Sequence, residues 1–171
     1  LIGAAGSTME QLSGTMNGTV GGIDNYLQWD GTMAGSVSTG TYTAYNGTIS
    51  GAVEFSQGFD LQGEAKVTST TRLFQTGGSM GSLLDEIDVY KQSGGSIDGE
   101  FSTRTFELAG GEALGVENVN ITNELIQSGG TLNVVSREVP IFTPSGGSFR
   151  APFPSRTTTC QAQERRLRAT A

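Results

Sequence analysis

The sequence predicts an all-β protein. A glycine-centred unit recurs about every sixteen residues, apolar and polar side chains alternate with period two, and segments with helical periodicity are scarce.

The unit is Gly, then Thr or Ser, then an apolar residue. It appears as Gly14-Thr15-Met16-Asn17-Gly18, Gly31-Thr32-Met33-Ala34-Gly35 and Gly47-Thr48-Ile49-Ser50-Gly51. A worn copy is Gly63-Glu64-Ala65-Lys66-Val67, and later copies begin at Gly78, Gly95, Gly111 and Gly130. The spacings are 17, 16, 16, 15, 17, 16 and 19 residues. An aromatic residue or Leu stands five places before the glycine at Tyr26, Tyr42, Leu73, Tyr90, Phe106 and Leu125. An apolar residue follows it by six at Val20, Val37, Val53, Leu84 and Phe101.

Within the units, Ile49, Gly51, Val53 and Phe55, then Phe59, Leu61, Gly63, Ala65 and Val67, fall on one face. Ser50, Glu54, Asp60, Gln62, Glu64 and Lys66 fall on the other. That is the pattern of half-buried strands. Asp30-Gly31, Thr39-Gly40 and Asn46-Gly47 lie between them, and Asn-Gly and Asp-Gly are strong hairpin signals because both turn residues need positive φ. Residues 25–68 are therefore expected to form an antiparallel meander of β-hairpins, sandwich- or barrel-like. Its strands fall near 25–29, 32–38, 41–45, 48–55 and 58–68. The alternative is a parallel β-solenoid with glycine at the corners of each coil. Gln92-Ser93-Gly94-Gly95-Ser96-Ile97 and Gln127-Ser128-Gly129-Gly130-Thr131-Leu132 fit that alternative. Over residues 73–135 the pattern resembles the repeats of autotransporter adhesin passengers. Two short helices are also expected: one over 82–87 with Ser82 as cap, and one over 160–168 with Thr159 as cap and arginines near its end.

Two regions are expected. Residues 1–136 form the glycine-rich repeat body, and residues 137–171 an extended C-terminal arm with a short terminal helix. All four prolines (Pro140, Pro144, Pro152 and Pro154) fall in the second region, where fixed φ and the missing donor favour an extended run. Charge divides at the same place. Residues 1–136 hold fifteen acidic and four basic side chains, a net of −11; residues 137–171 hold six Arg and two Glu, a net of +4. An acidic body disfavours nucleic acid as its partner. It favours a basic arm as partner, its own or that of a neighbouring copy. The arm's expected contacts are Phe142, Phe149, Arg150, Phe153, Arg156, Arg165, Arg166 and Arg168, with Cys160 as an intermolecular contact. The chain starts at Leu1, as expected of a processed or truncated start.

Glycine, 26 of 171 residues, is about twice its usual share of roughly 7 %. There is no histidine, which removes Ser-His-Asp and Cys-His pairs, His metal ligands and the commonest general base. A single cysteine excludes an internal disulfide. No apolar run reaches membrane-spanning length. Weak candidates remain. Asp85, Glu86 and Asp88, or Asp98 and Glu100, are carboxylate groups of the kind that run glycoside hydrolysis or hold Ca²⁺. Asn17, Asn46 and Asn120 open N-x-[ST] sequons. Tyr26, Trp29, Tyr42 and Tyr45 read as cross-strand packing pairs, or as an aromatic strip for carbohydrate.

The expected function is a non-enzymatic, cofactor-free structural subunit. It self-assembles as a homo-oligomer, or decorates an extracellular or viral particle as a virion surface, capsid-decoration or fibre protein. The alternative is a fragment of a secreted or cell-surface adhesin that binds carbohydrate or host protein. A carboxylate-based glycan hydrolase is the remote alternative.

Overall fold

The structure, a computed structural model, describes residues 6–80, 84–97, 101–136 and 141–149. Those residues are all-β, without helix, and wind as a parallel β-solenoid of about seven turns. Every strand pairing among them is parallel.

The expected antiparallel meander is therefore replaced by its alternative. The cause is local. Gly31 and Gly47 do take positive φ, at 89° and 91°, but no described non-glycine residue does, so Asp30 and Asn46 stay on the ordinary side. A two-residue hairpin of the type expected at Asn-Gly needs positive φ at both positions. One left-handed glycine turns the chain through a corner without reversing it, and each strand then pairs with the segment one turn on. Gly40 makes no turn; it lies inside the strand Ser36–Ala44, at a bulge between Thr39 and Thr41. The expected strand 48–55 is broken at Ser50-Gly51 into Thr48–Ile49 and Ala52–Leu61. The helix expected over 82–87 gives way to strand from Leu84, in Leu84–Gln92, where Leu84 and Ile87 pair with Phe101 and Thr103 of the next turn in place of local helix bonds.

Three inward-facing stacks define a three-sided core. The first is Val20, Val37, Val53, Leu73, Tyr90, Phe106, Leu125 and Phe142, each in register with the next. The second is Met9, Tyr26, Tyr42, Phe59, Met80, Ile97, Ala113 and Leu132. The third begins as Met16, Met33, Ile49 and Val67, on a separate four-stranded sheet, and is taken up in later turns by Ile87, Thr103 and Ile121. Most of these side chains are fully buried, because parallel stacking sets like residues on like.

The tight glycine corner changes place along the rod. In the early turns it joins the second side to the third, as at Gln28 to Thr32. From Gln75 it joins the first side to the second, because Ser79 and Met80 stack on Gly58 and Phe59. Extra chain between those turns makes the change. Phe59 and Met80 are twenty-one residues apart, whereas Tyr26 and Tyr42 are sixteen apart. The worn repeat at Gly63 lies in this extra chain.

Strands Ile141–Pro144 and Ser148–Phe149 pair with 124–127 and 131–132, so the stack runs on past Ser136. Pro144 fits at this position. Alternate N–H groups of a parallel strand face opposite neighbours, and Ser145 N–H points to Gln127 O below; the donor missing at 144 would have pointed the other way.

Candidate interaction surface

The corners are fixed by buried glutamines. Gln28 Nε2 donates to Gly31 O of its own corner at 3.0 Å and to Thr48 O of the next turn at 3.4 Å, while Gln28 Oε1 accepts from Tyr42 Oη at 2.7 Å. Gln11 does the same with Gly14, Thr32 and Tyr26. Gln75 does so with Gly78, Ser96 and Tyr90. Gln92 repeats the two amide donations, to Gly95 O and Glu112 O, and Gln127 donates to Gly129 O, one residue earlier in its corner, and to Ser148 O. The corner carbonyls Gly14 O, Gly31 O, Gly78 O and Gly95 O also accept a backbone N–H of the next turn, so the glutamine adds a second donor there and ties each turn to the next. Sequence reasoning missed these residues, although the signal is present: Gln stands three places before the glycine in five copies. Burial pushes the Tyr26 phenol up to about 12 and raises those of Tyr42 and Tyr90, with Tyr26 adding to the rise at Tyr42.

This rigid frame holds two shallow grooves at opposite edges of the first side. The groove at the strand starts, about 420 Å³, is floored by Ala34, Gly35, Gly51 and Ala52 and rimmed by Arg72, Asp88 and Arg104. Arg72 Nε meets Asp88 Oδ2 at 3.4 Å, and Arg104 Nη2 meets Asp88 Oδ1 from the other side. The Asp88 side chain is 13 % exposed, whereas those of Arg72 and Arg104 are 59 % and 63 % exposed. One shielded carboxylate therefore orients two solvent-facing guanidiniums, leaving a net positive charge. The groove at the strand ends, about 330 Å³, is lined by Asp24, Thr39, Gly40, Glu54, Ser56 and Gln57, among others. Its charge is negative. Asp24 accepts a backbone N–H from Gly6 at 2.6 Å, and Glu54 is exposed; among the described residues neither has a cationic partner.

The aromatic residues divide. Tyr26 and Tyr42 are core, stacked at 4.9 Å and 17°. Trp29 and Tyr45 lie outside on a corner, stacked at 4.4 Å and 12°. One face of each ring is covered by the other, as the packing-pair expectation has it.

Of the expected arm contacts, Phe142 is buried in the first stack. Phe149 continues the second stack in backbone register. Arg150, Phe153, Arg156, Cys160, Arg165, Arg166 and Arg168, with the helix expected over 160–168, lie outside the described residues, as do Asp98 and Glu100. Asp85 and Glu86 share the strand Leu84–Gln92 with Asp88, which is committed to its two arginines. Among the described residues no group of acidic side chains is arranged to hold a metal ion, and no helix is long and apolar enough to cross a membrane. Asn17 and Asn46 sit exposed at corners, and Asn120 donates to Ser102 Oγ at 3.3 Å. No family model matches the sequence, and no curated protein or solved structure matches it significantly.

Proposed function

We propose that the chain is a non-catalytic structural subunit, a stiff solenoid segment that assembles with copies of itself or with neighbouring subunits on an extracellular or viral particle or fibre. The observation that supports this reading is the repeated lock of corner glycine, buried glutamine and tyrosine. It ties consecutive turns into a rod and leaves the outer faces free for contact. The Phe- and Arg-bearing segment beyond Phe149 supplies an additional, charge-opposed contact for the acidic body. Light scattering and negative-stain microscopy of the full chain test the reading, with regular particles or filaments expected. A protein that stays a single short rod at every concentration overturns it. A chain ending at Phe149 is expected to keep its fold and lose part of its assembly.

A second reading, a segment of a surface adhesin, draws support from the Gln-Ser-Gly-Gly corners at 92–95 and 127–130, now parallel solenoid corners like those of the passengers they resemble. It predicts a monomer that binds a glycan or host protein. A glycan array and surface-immobilised host proteins separate the two.

A further inference from the structure

We infer that the two grooves flanking the first side are the two halves of one contact. The Arg72–Asp88–Arg104 groove of one copy receives the Asp24–Glu54 groove of a second copy. This deepens the structural-subunit reading and rests on it.

The spacing carries the inference. In the stack Val20, Val37, Val53, Leu73, Tyr90, Phe106, Asp24 belongs to the first turn and Glu54 to the third. Arg72 belongs to the fourth and Arg104 to the sixth. Each pair of like charges therefore spans two turns. Turns of a parallel stack repeat at roughly 4.8 Å, so both pairs are separated by roughly 10 Å along the axis. Two rods lying parallel, shifted by three turns, bring Arg72 against Asp24 and Arg104 against Glu54 together. Both guanidiniums are already oriented by Asp88 and keep most of their five N–H donors for a second carboxylate. Glycine and alanine on the floor of the cationic groove leave room for a neighbour's side chains.

The two surfaces differ and sit at different heights, so the contact is heterologous and does not close on itself. Repetition gives a staggered, open-ended array. Its ion pairs are exposed and individually weak, so the association depends on salt.

Sedimentation velocity of the full chain, at low and at high sodium chloride, tests the inference. The wild type is expected to associate at low salt, with at least about tenfold weaker association at high salt. Asp24→Lys with Glu54→Lys, and separately Arg72→Glu with Arg104→Glu, are each expected to abolish that association, and a mixture of the two variants to regain it. The arginine variant crowds Asp88 with like charge, so Glu54→Lys alone, at an exposed position, carries the test if that variant fails to fold; at least a fivefold weakening is expected. Wild-type association unchanged by Glu54→Lys and by the acidic double variant overturns the contact and leaves self-assembly standing. A wild type that never associates overturns both.

Discussion

Phe106 stands where a tyrosine would reach Gln92. It lies one turn beyond Tyr90, ring centroids 5.6 Å apart, and the Gln92 amide oxygen is buried without a hydrogen-bond partner among the described residues. In the equivalent places Tyr26, Tyr42 and Tyr90 donate to Gln11, Gln28 and Gln75. Phe106→Tyr is therefore expected to stabilise the fold by about 1 kcal/mol, since it pairs an acceptor already desolvated. The reverse change, Tyr42→Phe, orphans Gln28 Oε1 and is expected to cost about 1–3 kcal/mol. Urea midpoints at constant m-value read both; a lower midpoint for Phe106→Tyr sinks the idea.

The same tyrosines set an alkaline limit. The unfolded chain releases its phenolic protons near pH 10, whereas burial holds the Tyr26 phenol up to about 12 and raises Tyr42 and Tyr90 too. Above pH 10 the unfolded state then binds fewer protons than the folded one. Stability is full below pH 10 and falls as pH rises toward 12, by about 1.4 kcal/mol per pH unit for each phenol still protonated in the fold. Thermal melts from pH 8 to 12, followed with tyrosinate absorbance, check this. Stability that stays level across that range contradicts it.

Glycines at one corner are not equivalent. A Cβ on Gly35 would run into the Gly18 carbonyl one turn below, whereas a Cβ on Gly18 meets nothing within 4 Å among the described residues; neither residue has positive φ. Gly35→Ala is thus an overpacking change, expected to cost about 1–3 kcal/mol or more. Gly18→Ala is expected to stay within about 0.5 kcal/mol of wild type. Equal denaturation midpoints for the two variants would count against the stacked corner.

The all-β class, the repeat length and the inward positions could be read from the residues. Val20, Val37 and Val53, and Tyr26 and Tyr42, do stack as their spacing implies. The direction of pairing could not be read from Asn46-Gly47, because that dipeptide serves a hairpin or a corner equally, and only the φ of Asn46 separates them. Pairing direction in turn decides which residues meet. In a meander, Arg72, Asp88 and Arg104 are scattered. In a parallel stack their sixteen-residue intervals bring them together, as they do Lys91 with Glu107 at 2.9 Å and Trp29 with Tyr45. The shifted corner was hidden for a related reason: the unit Gln-x-x-Gly continues unchanged while the side of the rod it occupies changes.

That independence of turns gives the last prediction. Gln92 and Leu108 are stacked in register and each leads into a two-residue step and a left-handed glycine, Gly95 or Gly111. Deleting residues 93–108 joins Gln92 to Ala109 and removes one whole turn. Leu125 then rests on Tyr90, Ala113 on Met80 and Ile121 on Ile87, which keeps apolar side chains opposite one another in all three stacks. Because each turn of a solenoid contacts only its neighbours, the shortened chain is expected to fold and to melt cooperatively, with a rod shorter by roughly 4.8 Å. Removing residues 93–100 instead takes away the corner and the second side of one turn, so the strand at Phe101 follows Gln92 directly and the turn cannot close. That variant is expected to lose the β-sheet circular-dichroism signal or its cooperative transition. Small-angle scattering and thermal melts distinguish the cases, and a whole-turn deletion that behaves no better than the half-turn one is incompatible with a rod built from interchangeable turns.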